Sequence, residues 1–244
     1  MIDGMEHIQQ VLDAEVSLTG VASVRSLPQV PQEFSPHAIL KNCKSVLCYG
    51  VPIPKGIIYA TKYAHLLYWR YCNMVYRSLD ILSNKISILL EEKGYIATPL
   101  YGCYPWKVVN REFYGCISLV YWAEQAGIGR LTKCGLLGTP EHGTRVLLGG
   151  ILTTAELNPS ETIDTEICPS NCFQCIEACP AKAIDKTGKV NHNTCIRHAH
   201  QNPLLHHILP EKEFSFEAVL NTVGVDDHGT YTCFECVRAC PLNK

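Results

Sequence analysis

Fourteen cysteines in 244 residues are more than a packed interior needs, and they are unevenly placed. Six precede residue 140. Eight follow residue 165, in two close-spaced runs with one outlier between them. The first run is Cys168-Pro-Ser-Asn-Cys172-Phe-Gln-Cys175-Ile-Glu-Ala-Cys179-Pro180. The second is Cys233-Phe-Glu-Cys236-Val-Arg-Ala-Cys240-Pro241, and Cys195 stands alone between the two. Thiolates are soft ligands, and several within a few residues of one another wrap a metal or an iron–sulfur cluster rather than cross-link the chain. The N-terminus, Met1 to Asp13, is acidic and polar, without a basic segment leading into an apolar stretch and without a twin-arginine pair. A secreted, disulfide-bonded protein is therefore not expected, and a cytoplasmic, oxygen-sensitive setting is.

The spacing is that of bacterial ferredoxins, in which CxxCxxCxxxCP holds a [4Fe-4S] cluster and the fourth cysteine ligates the other cluster. Crossed ligation closes the count. Cys168, Cys172, Cys175 and Cys240 hold one cluster; Cys179, Cys195, Cys233 and Cys236 hold the other. The departure is the gap between Cys168 and Cys172, three residues where the common pattern has two, and Cys168 is the least certain of the eight. A pair of zinc sites is the alternative for CxxC motifs, but the CxxxCP halves favour clusters. The earlier cysteines, Cys43, Cys48, Cys72, Cys103, Cys116 and Cys134, read as small buried hydrophobes, with Cys134 the first to examine for chemistry. His198, His200, His206 and His207 lie between Cys195 and Cys233; they read as a polar loop, with metal binding the lesser alternative.

Elements to position these residues are legible upstream. The chain reads as helix over Glu6 to Ala14, strand over Val16 to Val24 and a buried strand over Ser45 to Val51. A long helix spans Tyr63 to Lys93, with Leu67, Met74, Leu82, Ile86 and Leu89 at roughly helical spacing and Gly94 placed to end it. A short strand over Tyr95 to Pro99, a helix over Arg111 to Ala126 and an apolar strand over Arg145 to Thr153 follow. The polar stretch Glu156 to Thr165 reads as a connection, dividing the chain into 1–160 and 161–244. No run of apolar residues is long enough to span a membrane. A net charge of -2 makes no electrostatic case for nucleic acid.

Between the last two elements lies a glycine-rich segment, Gln125 to Arg145, holding Gly127, Gly129, Gly135, Gly138 and Gly143. Glycine admits left-handed backbone and close approach to a flat ligand. The spacing is neither a dinucleotide fingerprint nor a Walker loop.

The run Trp122 to Leu157 (WAEQAGIGRLTKCGLLGTPEHGTRVLLGGILTTAEL), followed by the cysteine pattern and by Cys195-Ile196, resembles epoxyqueuosine reductase and the cobalamin-dependent reductive dehalogenases. The likeness covers most of the chain, weakly before residue 110 and strongly after it. It implies an α+β protein: an N-terminal α/β corrinoid-binding-like domain, then a ferredoxin-like domain with two [4Fe-4S] clusters. It implies a cobalamin bound base-off, reached by electrons from an external low-potential donor through the two clusters, with the corrinoid contacted from Gly127, Gly129, Arg130, Lys133, Cys134, Gly135, His142 and Gly143 and from the strand after them. The sequence stops soon after Pro241, so a short member without the family's C-terminal helical repeats is expected. Two departures stand out. The family's aspartate proton donor falls on Phe113, leaving its neighbours Tyr114 and Glu112 as candidate acids, and the usual Gly-Lys after the loop is altered, with Arg130 and Lys133 nearby. Reduction of a tRNA is thereby unsupported. The expected activity is reduction of an unknown small-molecule substrate. The alternatives are electron transfer to a partner, such as a corrinoid protein, without substrate chemistry of its own, and a flavin in place of the corrinoid.

Overall fold

Alternation along two apolar strands sets the architecture. In the computed structural model, which describes residues 5–26, 35–102, 107–109, 112–199 and 233–243, strands β1 (Leu18–Ser23), β2 (Ser45–Pro52), β3 (Ala97–Leu100) and β8 (Val146–Thr153) form a sheet in the order β1-β2-β8-β3, every ladder antiparallel. Cys103, His200, His206 and His207 lie outside the described residues. On β2 and β8, Leu47, Tyr49, Leu147 and Ile151 face one core, and Val46, Cys48, Leu148 and Leu152 face another. Successive side chains of a strand point to opposite faces, so these near-continuous apolar runs need a cover on both sides.

The first cover is α4 (Ala64–Glu92) with α1 (Glu6–Glu15) beside it; the second is the short α5 (Leu119–Gln125). Helix α4 buries Tyr68, Cys72, Val75, Leu79, Leu82, Ile86 and Leu90. The expected helix is there, but its inward stripe differs from the expected one. Leu67 and Met74 are 45% and 58% exposed, and Ile81 and Ile88 continue the same outward line. The helix carries two apolar stripes, and spacing alone does not say which of them meets the sheet. The end of α4 follows expectation: Gly94 adopts φ +85°, its N–H donates to the Glu91 carbonyl, and the Tyr95 N–H donates to that of Leu90, the paired bonds of a Schellman stop.

The helix expected from Arg111 is corrected. Glu112–Tyr114 is strand β5, paired antiparallel with β4 (Lys107–Val109), and α5 begins only at Leu119, where the Ser118 hydroxyl accepts from the Tyr121 N–H. Gly115 and the aromatic pair before it disfavour helix, and the Ser118 hydroxyl supplies a helix start after them. Two short helices, α2 (Pro36–Ile39) and α3 (Lys55–Ile58), flank β2. No described helix is long and apolar enough to cross a membrane.

The cysteine-bearing elements are α6 (Gln174–Ala178), α7 (His192–Ala199) and α8 (Glu235–Ala239), with α6 packed on α8. They share a core with the sheet. Phe234 and Val237 are 2% exposed among the side chains of α1 and α4, and the Phe234 ring stacks on Tyr68 with centroids 4.7 Å apart. The polar connection is also docked: Val21 and Ser160 exchange two hydrogen bonds at the β1 edge, 2.9 and 3.0 Å long.

Ile86 is fully buried between α4 and the sheet. Ile86→Ala should cost about 2–4 kcal/mol, read as a lower denaturation midpoint at unchanged slope. Ile81→Ala on the outward stripe should change it by under about 0.5 kcal/mol.

Candidate metal centre

A small hairpin brings the glycine-rich segment to the cysteines. Strands β6 (Arg130–Leu131) and β7 (Leu137–Gly138) pair, and the tip between them is tied across itself by the Thr132 N–H and hydroxyl, both donating to the Leu136 carbonyl at 3.0 and 2.8 Å. The tip points Lys133 at the first cysteine loop. Its Nζ donates to the carbonyls of Pro169, Ser170 and Cys172 at 2.5, 2.8 and 3.1 Å and lies 5.3 Å from the centre of the Phe173 ring. One ammonium thus gathers the carbonyls of the loop that carries the extra residue. A charged donor holds a carbonyl more strongly than a neutral one.

Beside the tip is a cleft lined by Cys168, Cys172, Cys175 and Cys240, together with Thr132, Lys133 and Cys134. Cys168 and Cys172 come from one short loop, Cys175 from the start of α6 directly after it, and Cys240 from the other cysteine run. The other expected set also converges. Cys179 is buried with Cys195 and Cys236 packed against its cluster. Burial, then the neighbouring Cys233, Cys179 and Cys134, push the Cys195 thiol up to about 11. The Cys179 sulfur accepts the Ala183 N–H at 3.3 Å. Among the described residues no three His, Cys, Asp or Glu side chains gather as a single metal ion would need. A four-iron cubane is a larger object and takes one thiolate at each of four separate corners.

Two glycines of the loop serve the chain itself. A side chain at Gly127 (φ +71°) would stand 2.0 Å from the Glu161 carbonyl oxygen, and one at Gly143 (φ +56°) would stand 2.3 Å from Asn243 Oδ1. Asn243 was not singled out in the sequence, and it closes the end of the cysteine region. It is fully buried; its Oδ1 accepts the Thr144 N–H at 2.8 Å, and its Nδ2 donates to Thr144 Oγ1 and the Val237 carbonyl at 3.0 and 2.5 Å. The only sequence signal for it is a polar residue two positions after the Cys-Pro motif.

The remaining candidates are spread out. Gly129 abuts the Gly138 carbonyl inside the hairpin, Arg130 pairs outside it with Glu124 at 3.6 Å, and Gly135 turns the tip with φ +76°. His142 sits in the turn closed by Thr139 and Gly143, its N–H on Thr139 Oγ1 at 3.0 Å. Glu112 and Tyr114 lie on β5, which runs beside α7, the helix carrying Cys195. His198 is exposed on that helix. Of the earlier cysteines, Cys43 and Cys48 are buried on the α5 side of the sheet, and Cys72 is buried in the core that also takes Phe234 and Val237; burial pushes the Cys43 and Cys72 thiols up to about 11 and about 12, which leaves them unreactive.

No family model matches the chain. Curated relatives include the epoxyqueuosine reductase of Lactococcus garvieae, 30% identical over 251 residues, covering 99% of this chain and 64% of that protein. That of Listeria monocytogenes is 35% identical over 130 residues, covering 53% of this chain and 31% of that one. The chain thus spans less than two thirds of these relatives. The fold matches a selenomethionine-labelled epoxyqueuosine reductase at TM-score 0.63 and 21% identity, over 98% of this chain and 64% of that one. It also matches a catabolic reductive dehalogenase at 0.61 and 13%, over 98% and 32%.

Lys133→Met should release the Pro169–Cys172 loop. Amide hydrogen exchange there should quicken about tenfold or more, while Arg130→Met leaves it unchanged.

Proposed function

Because the chain belongs to the family of epoxyqueuosine reductase-like and reductive dehalogenase-like proteins, we propose that it is an iron–sulfur reductase that moves single electrons through two [4Fe-4S] clusters. The observation that carries the reading is the cleft in which Cys240, from the second motif, joins Cys168, Cys172 and Cys175 of the first. That is the crossed arrangement of a two-cluster ferredoxin. These four residues would hold one cluster, and Cys179, Cys195, Cys233 and Cys236 the other. When bound, such clusters supply one-electron storage and transfer at low potential. The chain's part is to fix the ligand loops: Lys133 gathers one through its carbonyls, and Phe234 and Val237 anchor the other in the core. On the family's resemblance Tyr114 or Glu112, on β5, is the proton donor.

A corrinoid is the family's acceptor, and the glycine loop does not fit it as a cradle. The close approaches at Gly127, Gly129 and Gly143 are filled by Glu161, Gly138 and Asn243. That favours a second reading, in which the electrons leave for a partner of low potential, such as a corrinoid protein, and the chain has no substrate chemistry of its own.

Anaerobic purification followed by metal and flavin analysis separates the readings. About eight iron atoms per chain are expected, as two four-iron clusters require. Stoichiometric uptake of added cobalamin supports a corrinoid in this chain; eight irons with no uptake support delivery to a partner. A chain that takes up zinc and no iron overturns both.

A further inference from the structure

Five thiols, not four, line the first cleft: Cys134 stands in it with Cys168, Cys172, Cys175 and Cys240. A cubane has four iron corners, each taking one thiolate, so one of the five is surplus. Cys172, Cys175 and Cys240 are fixed by their motifs and helices, which leaves Cys134 and Cys168 to contend for the last corner. Their settings differ. Cys168 is half-exposed at the start of the loop with the extra residue. Cys134 is 7% exposed on the tied hairpin tip, its sulfur 3.1 Å from Thr132 Oγ1, and it packs in one cluster with Cys175 and Cys179. The ammonium of the preceding residue, Lys133, holds the carbonyls around Cys168, so the two rivals ride on segments that are tied together. A preformed, buried thiol loses less freedom on ligation than one on an exposed loop.

We infer that Cys134 is an alternate fourth ligand of the first cluster, able to replace Cys168. The inference rests on the two-cluster reading of this cleft. In the exchange the Cys168–iron bond breaks and a Cys134–iron bond forms; the thiol proton of Cys134 passes to the departing Cys168 thiolate, and no electron is gained or lost. The cluster has four thiolate ligands before and after the exchange, one at each iron. Loss of Cys168 by substitution or oxidation would then leave the cluster in place.

The test compares iron content and the electron paramagnetic resonance spectrum of the reduced protein, purified anaerobically, for the wild type, Cys168→Ala, Cys134→Ala and the double variant. The wild type should hold about eight irons. Each single variant should keep that content, with a shifted signal from one cluster in Cys168→Ala, and the double variant should lose about half. If Cys168→Ala alone falls to about four irons, the inference is overturned while the two-cluster reading stands. An iron-free wild type overturns both. Cys168→Ala lies in an exposed loop and spares the core, so its result decides the matter even if variants at Cys134 fold poorly. As an independent check, alkylation of the intact wild-type holoprotein followed by mass spectrometry should modify Cys168 or Cys134 and never both; modification of both would overturn the inference.

Discussion

A lysine ammonium with three carbonyls in reach holds two distant parts of this chain in one geometry. Lys133 comes from the glycine-rich hairpin; the carbonyls of Pro169, Ser170 and Cys172 come from the first cysteine loop. The loop has one residue more than the common spacing, and its carbonyls point together, an arrangement that peptide dipoles resist until a cation balances them. The hairpin supplies that cation, and its own cross-tie from Thr132 to Leu136 keeps the lysine aimed. The positions of Cys168, Cys172, Cys175 and Cys240 follow from this contact together with the burial of Asn243 behind Cys240.

The second cysteine run is held in a different way. Phe234 is stacked on Tyr68, Val237 is in the same core, and Asn243 bonds to Thr144 just before β8. Ligand loops and sheet therefore share their packing. Binding free energy at the cysteines is then felt as folding free energy in the sheet's core, and loosening of α4 is felt at Cys233 and Cys236. The polar connection does not insulate the two halves, because its Ser160 is bonded to β1.

Several of these features could be read from sequence because they depend on local spacing. The cysteine motifs are short, and the strands β2 and β8 and the stop at Gly94 depend on neighbours in the chain. What could not be read depends on contacts between distant residues. The inward stripe of α4 is decided by the sheet, since Leu67, Met74, Ile81 and Ile88 are as well spaced as the buried set. The strand at Glu112–Tyr114 needs its partner β4 to exist. Lys133 has no local signature, for its partners lie 36 to 39 residues away, and Asn243 reaches Thr144, 99 residues away, as well as the nearby Val237. The glycines were read as room for a ligand, whereas at Gly127 and Gly143 the room is taken by the chain's own backbone and by Asn243.

The crossing of Cys240 into the first cleft also dictates an order of events at the ribosome. Cys168, Cys172 and Cys175 emerge together, but their fourth companion in the motif pattern is not yet made, and at roughly 5–20 residues per second it follows only after several seconds. During that interval the nascent loop offers three thiols, and a fourth is already waiting on the finished hairpin at Cys134. Vectorial synthesis therefore makes the early sheet and hairpin a scaffold in time as well as in space: their strands are all made before the site they border can close, and Phe234 and Val237 fill the last of the core as it does.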